Sequence, residues 1–179
     1  TTVYYKQRNN MKQYILLLLL GCICIQTYAI APEYSEWSQA EMNKANTAAN
    51  TSLSEQEQLV YLYCNLARMD GAKFARTYVV DYYKDKTPSK YYYSTLLSDL
   101  QKVYNYPVLL PSNELHRAAA YHAADMGRLG LRGHNSSDGT SFDNRINRYL
   151  NVNAVGENCD YGYNRAIDIV MHLLLVEDV

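Results

Sequence analysis

The chain has 179 residues, enough for one domain with a substantial core. Its 17 Lys plus Arg nearly balance 18 Asp plus Glu, which argues against a nucleic-acid binder, since such a protein ordinarily concentrates excess positive charge on one face. The 19 tyrosines, each an apolar ring with a polar tip, suit half-buried surfaces and extracellular contact faces as well as ordinary packing.

Residues 1–10 precede the first plausible start, Met11, and are expected to stand outside the fold as an upstream or non-native segment. Met11-Lys12-Gln13 followed by the apolar run Tyr14 to Ile25 and the small residues Ala29-Ile30-Ala31 reads as an export signal over 11–31. The run is short for a membrane span and a polar stretch follows it. Within it, Leu19-Leu20-Gly21-Cys22 resembles a lipobox, in which Cys22 is acylated and becomes the mature N-terminus. Soluble secretion and membrane anchoring through Cys22 both stay open, and either places the mature chain outside the cytoplasm, secreted or in the cell envelope. Cys64 and Cys159 then remain, and in an oxidising compartment they form one long-loop disulfide if their geometry permits.

Residues 32–53 are polar and alanine-rich without sustained apolar periodicity, and read as a linker. The domain is expected over 54–179. Ser54-Glu55-Gln56-Glu57 fits a capping box, and Leu59, Leu62, Tyr63 and Leu66 follow at helical spacing. Asp70-Gly71 interrupts that helix, and Phe74, Ala75, Tyr78 and Val79 mark a second. Asp85 to Lys90 is a loop, Tyr91 to Tyr104 has a helical pattern, and Pro107 ends it. Pro111-Ser112 opens the clearest helix, with Leu115, Ala118, Ala119, His122, Ala123 and Met126 on one face and Gly130 as its stop. Gly133 to Thr140 is a loop by composition, Ser141 caps a short helix through Tyr149, and Ala154 to Tyr161 reads as a strand. A last helix, Asn164 to Val176, is apolar on nearly every side and needs cover on more than one face. With one convincing strand there is no sheet to supply that cover. An incomplete domain is the expectation, its C-terminal part missing.

No zinc-protease helix motif, phosphate-cradling glycine loop, nucleophile elbow or Cys-x-x-Cys pair occurs in the mature chain. Two local motifs remain, Gly133-His134-Asn135-Ser136-Ser137-Asp138-Gly139 and Gly156-Glu157-Asn158-Cys159. An imidazole in a polar loop and a carboxylate on a strand can meet across a cleft to bind a metal or move a proton. Asn135, Ser136 and Asp138 are expected to shape the loop through side-chain bonds to backbone, with Gly139 permitting its turn. Arg145 is expected to pair with Asp138 or Asp143. His116 and His122 are six apart on one helix and do not lie side by side, and His122 and His172 read as packed residues.

The order Asn65-Leu66-Ala67-Arg68, the alanine-rich helix, His134 before Ser-x-Asp-Gly, Arg145, Gly156-Glu157-Asn158 and an apolar helix resembles the bacterial branch of the CAP superfamily. That family groups cysteine-rich secretory proteins, antigen 5 and pathogenesis-related 1 proteins, and the likeness spans roughly Ser54 to Val179. It implies an α+β fold, an α-β-α sandwich of which this chain carries the N-terminal helical part while most sheet strands are missing. It also implies a cavity lined by His134, Glu157 and, more weakly, Glu177, with Asn158 in the supporting motif and a divalent metal such as zinc bound in some members. The second cavity histidine of the family follows the last helix and is absent here. His134 and Glu157 alone fall short of the three protein ligands zinc ordinarily takes. Two functions follow from the resemblance: a non-enzymatic extracytoplasmic module that binds a lipid, an envelope component or a protein, or a metal-dependent hydrolase or protease using His134 and Glu157.

Overall fold

The computed structural model of the protein describes residues 2–5, 36–151 and 154–175. In chain order they form β1 (Thr2–Tyr5), α1 (Gln39–Ala45), α2 (Glu55–Met69), α3 (Gly71–Phe74), a π-helical segment (Ala75–Val79) and α4 (Val80–Tyr83). Then come α5 (Lys90–Leu100), α6 (Asn113–Leu129), α7 (Phe142–Asn147), β2 (Gly156–Cys159) and α8 (Ala166–Leu174). The described part is mostly helical with one two-stranded antiparallel ribbon, an α+β arrangement in the coarse sense. The expected export signal with Cys22, and Glu177 near the chain end, lie outside the described residues.

The helix starts follow from side chains named by the sequence. Ser54 and Glu57 form a reciprocal capping box, Ser112 accepts from the Leu115 amide, and Ser141 accepts from the Asn144 amide. Gly130 ends α6 in the left-handed region at φ 65°, where a glycine carries no Cβ penalty. The strand is shorter than expected, four residues rather than eight, because only Gly156–Cys159 meets a partner for its ladder.

That partner is β1, with Thr2 opposite Cys159 and Tyr5 opposite Gly156. It comes from the segment that the sequence reading sets outside the fold. The linker reading of 32–53 is corrected as well. A second capping box, Ser38 with Glu41, starts α1, and Trp37, Ala45 and Ala48 are buried. Trp37 Nε1 donates to Thr77 Oγ1 at 3.0 Å, and Lys73 Nζ lies 4.4 Å from the Trp37 ring centroid while pairing with Glu41 at 2.8 Å. One aromatic and one ion pair thus dock a helix too short to show an apolar period.

The main core gathers Val60, Leu66, Phe74, Tyr78, Val79, Leu96 and Leu100 with Ile169, Val170 and Met171 of α8, which packs against α2. Its polar centre is Asn65, fully buried. Its Nδ2 donates to Ala45 O (2.8 Å), Thr47 Oγ1 (3.1 Å) and Leu109 O (3.2 Å), and its Oδ1 accepts from Leu109 N at 2.6 Å. One amide therefore joins the end of α1 to the lead-in of α6. At the α2–α3 junction Gly71 N donates to Val103 O at 2.9 Å, and a Cβ on Gly71 would stand 2.3 Å from Leu100 O. A second, smaller core of Leu115, Ala118, Ala119 and Ile146 joins α6 to α7. The loop and strand that carry His134 and Glu157 are held at this end of the molecule.

Candidate functional site

The loop after α6 is built as the Ser/Asn/Asp/Gly composition demands. Ser136 N donates to Thr140 O and Gly139 N to Ser136 O, both at 2.9 Å, and Asp138 Oδ1 accepts from Thr140 N at 2.8 Å. Gly133 and Gly139 take φ of 121° and 81°, conformations that favour glycine. Asp125 of α6 ties the loop down by accepting from Ser137 N and Oγ at 2.8 and 2.6 Å. Those bonds from Ser137 and its backbone, with Arg128 adding charge, hold the Asp125 carboxyl below the usual carboxylate range. Asn135 and Asn158 face solvent, as does the Asp138 side of the loop.

His134 and Glu157, on motifs that can bring them together, are in contact: His134 Nδ1 stands 2.9 Å from Glu157 Oε1. The expected partner of Arg145 is corrected. It bonds neither Asp138 nor Asp143 but reaches Glu157 Oε2 at 2.5 Å through Nη2. Its Nη1 donates to His134 O at 2.9 Å and Ser136 Oγ at 3.2 Å. Both side chains of the Arg145–Glu157 pair are buried, at 0% and 1% exposure, whereas His134 is 60% exposed. A guanidinium fork meets a planar carboxylate well, and burying a charge demands such a partner. Asp138 and Asp143 lie on the solvent side and offer α7 no comparable compensation.

Two further residues stand in the cluster that sequence reasoning assigned elsewhere. Cys159 follows Glu157 by two along β2, so alternation puts both on one face with Asn158 on the other. Its Sγ lies 3.8 Å from His134 Nδ1 and 4.0 Å from Gly133 O. His122, 1% exposed on α6, donates from Nε2 to the same Gly133 carbonyl at 3.0 Å, and its buried Nδ1 meets no hydrogen-bond partner among the described residues. A ring nitrogen of His122, a carboxylate oxygen of Glu157 and Cys159 Sγ all lie within 4.8 Å of one another. Tyr161 closes the edge, its hydroxyl donating to Gly133 O at 2.9 Å and accepting from Gly133 N at 3.0 Å. Burial raises that phenol's pKa above its ordinary value. The strand period carried the signal for Cys159, and the helix-face position of His122 carried that for its inward aim.

The disulfide that the sequence leaves open is not formed: Cys64 and Cys159 are both thiols. Cys64 packs against the main core from α2, while Cys159 sits on β2 beside the His134 loop. Desolvation pushes the Cys64 thiol up to about 11, against a smaller opposing pull from Arg68. His172, read as packed, instead has an exposed ring whose Nδ1 lies 2.5 Å from the buried Asp160. A separate groove of about 370 Å³ opens between α2, α6 and the start of α8, lined by Val60, Ala119, Ala123, Tyr163 and Ile169. It lies at the alanine face of α6, and His134 and Glu157 do not line it. Among the described residues no helix is long and apolar enough to cross a membrane.

Comparison of the chain with protein-family models, with curated proteins and with solved structures finds no match.

Proposed function

We propose that the protein is an extracytoplasmic binding module of CAP type, with a cavity around His134 and Glu157 suited to a divalent cation and no catalytic step of its own. The observation that carries this reading is the double engagement of Glu157. Oε1 faces His134 Nδ1 at 2.9 Å and Oε2 faces Arg145 at 2.5 Å. Each carboxylate oxygen thus already faces one protein partner, which ties Glu157 in place as a charge centre, and the second lone pair of each oxygen is left to face a cation. The donor chemistry fits a cation: imidazole and carboxylate side chains converge, with a thiol and a second imidazole close behind. His134 and Glu157 would hold the ion, which would supply a fixed positive centre for an anionic or carbonyl group of the ligand.

The export-type segment 11–31 and the tyrosine load support an extracellular setting, with a lipid, an envelope component or a protein as the ligand class. Exposed Tyr91, Tyr92, Tyr104 and Tyr106 offer rings to such a surface.

The test uses the full chain. Zinc uptake is followed by calorimetry, and turnover is assayed on casein and on a chromogenic ester with and without chelator. Uptake without turnover, weakened by His134→Ala, is the expected result. Chelator-sensitive turnover lost in both His134→Ala and Glu157→Ala would replace the binding module by a metal-dependent hydrolase. Fatty-acid labelling lost in Cys22→Ser would establish anchoring, and its absence in the parent chain would leave soluble export.

A further inference from the structure

We infer that Cys159 is a thiolate ligand of a zinc site completed by Glu157, His134 and His122. The inference deepens the cation-cavity reading above and rests on it.

The donors gather around one end of β2. Strand alternation sets Glu157 and Cys159 on the same face of β2, and the loop after α6 lays His134 against both. The separations are 2.9 Å for His134 Nδ1 to Glu157 Oε1 and 3.8 Å for His134 Nδ1 to Cys159 Sγ. A ring nitrogen of His122 lies within 4.8 Å of both the Glu157 carboxylate and Cys159 Sγ. Nitrogen, oxygen and sulfur ligands around a tetrahedral zinc at ordinary bond lengths stand roughly 3.3–3.6 Å from one another. The His134 spacings fall on either side of that range and the His122, Glu157 and Cys159 donors lie within 4.8 Å of one another, so the set closes when the exposed His134 ring shifts by a few tenths of an ångström and the other three draw inward on the ion.

The same geometry argues against a catalytic relay. In a Cys-His-carboxylate triad the imidazole presents one nitrogen to the nucleophile and the other to the carboxylate. Here Cys159 and Glu157 both face Nδ1 of His134. One nitrogen cannot be oriented by an acceptor and take a proton from a thiol at once. Several donors aimed at one place describe a chelate.

Charge decides which donor matters most. Arg145 is fully buried and already neutralises Glu157. A dication placed beside that pair would bring two uncompensated charges into a partly buried site, and a thiolate from Cys159 removes one of them. Thiolate with imidazole favours zinc over magnesium or calcium, which ask for more oxygens. On binding, the thiol proton leaves to solvent. The proton on His134 Nδ1 is exchanged for one on Nε2, and His122 ligates through a ring nitrogen that carries no proton. One proton is released net, so affinity rises with pH.

The test takes the full chain, stripped with chelator, and titrates it with cobalt(II) as the spectroscopic stand-in for zinc. Expected is a near-ultraviolet thiolate-to-cobalt charge-transfer band that disappears in Cys159→Ser and persists in Cys64→Ser. Zinc affinity should fall in Cys159→Ser by more than the roughly 10–100-fold caused by losing an outer hydrogen-bond partner, with far-ultraviolet dichroism unchanged. Cobalt bound without the band, and with equal affinity in Cys159→Ser, would overturn this ligand set and leave the cation cavity standing. No uptake by the parent chain would overturn both.

Discussion

Arg145 reaches Glu157 at 2.5 Å across an interior where neither side chain meets solvent, and the same guanidinium holds the carbonyl of His134 at 2.9 Å. One cation therefore fixes both halves of the site: the strand carboxylate through a charge, and the loop histidine through its backbone. Arg145→Ala leaves Glu157 buried without its counter-charge. We expect a loss of about 3–5 kcal/mol in urea unfolding, part of it recovered in the Arg145→Ala/Glu157→Gln double variant. A single variant as stable as the parent would mean that the pair is open to water.

Asn65 is expected to resist replacement by its nearest isostere. Its Nδ2 serves Ala45 O and Leu109 O while its Oδ1 takes Leu109 N. Asn65→Asp places a carboxylate against two carbonyls, and Asn65→Ala leaves buried backbone groups unmet at roughly 1–3 kcal/mol each. Thermal denaturation should rank both variants well below the parent. Asn65→Asp equal to the parent would refute the donor assignment.

Gly71→Ala should destabilise although its backbone conformation is ordinary. The added Cβ would stand 2.3 Å from Leu100 O and 2.9 Å from Val103 Cβ. Backbone on one side and a β-branched residue on the other leave little that can yield, so a cost of about 1–3 kcal/mol follows. Unfolding midpoints in guanidinium would show no shift if the 100–103 segment moves aside without penalty.

Acid should undo the docking of α1. The bond from Lys73, helped by those from Ser38, holds the Glu41 carboxyl down at about 2 against an ordinary 4.5. A carboxyl depressed on folding stabilises fully above its unfolded value, and that contribution fades as pH falls from about 4.5 through about 2. Glu41→Gln should therefore melt below the parent at neutral pH, with the two curves converging by pH 2 or so. A gap that stays constant over that range would assign the effect to packing.

Cys64, with its thiol pushed up to about 11 by burial, should resist iodoacetamide in the native protein at mildly alkaline pH and react at once in denaturant. Mass spectrometry of tryptic fragments reads this directly. Rapid native labelling would place that face of α2 in solvent.

Much of this was legible beforehand where the signal is local. Ser54, Ser112 and Ser141 announced their helices because a cap needs only a hydroxyl and the amide three residues on. The two motifs that carry His134 and Glu157 allow the pair to meet but do not require it. The docking of Trp37 was not legible, since one indole supplies its area without any period to read. Sequence proximity points Arg145 to Asp138 or Asp143, yet burial chooses a partner by what else is buried, and that is Glu157. Cys159 reads from the sequence as a candidate disulfide partner, although the strand alternation that puts it beside Glu157 is visible in four letters, Gly-Glu-Asn-Cys.

The pairing of Thr2–Tyr5 with Gly156–Cys159 and removal of the segment ending at Ala31 exclude each other. Cutting the chain there carries off the strand that satisfies the backbone of Gly-Glu-Asn-Cys, and bares a sheet edge beside the very residues that face the site. A precursor and its processed product would then differ in what lies alongside Glu157 and Cys159: in one a plug supplied by the chain's own head, in the other a vacancy that any extended segment of matching length can fill. Hydrogen exchange at the β2 amides, compared before and after cleavage, would read which of the two forms is in hand.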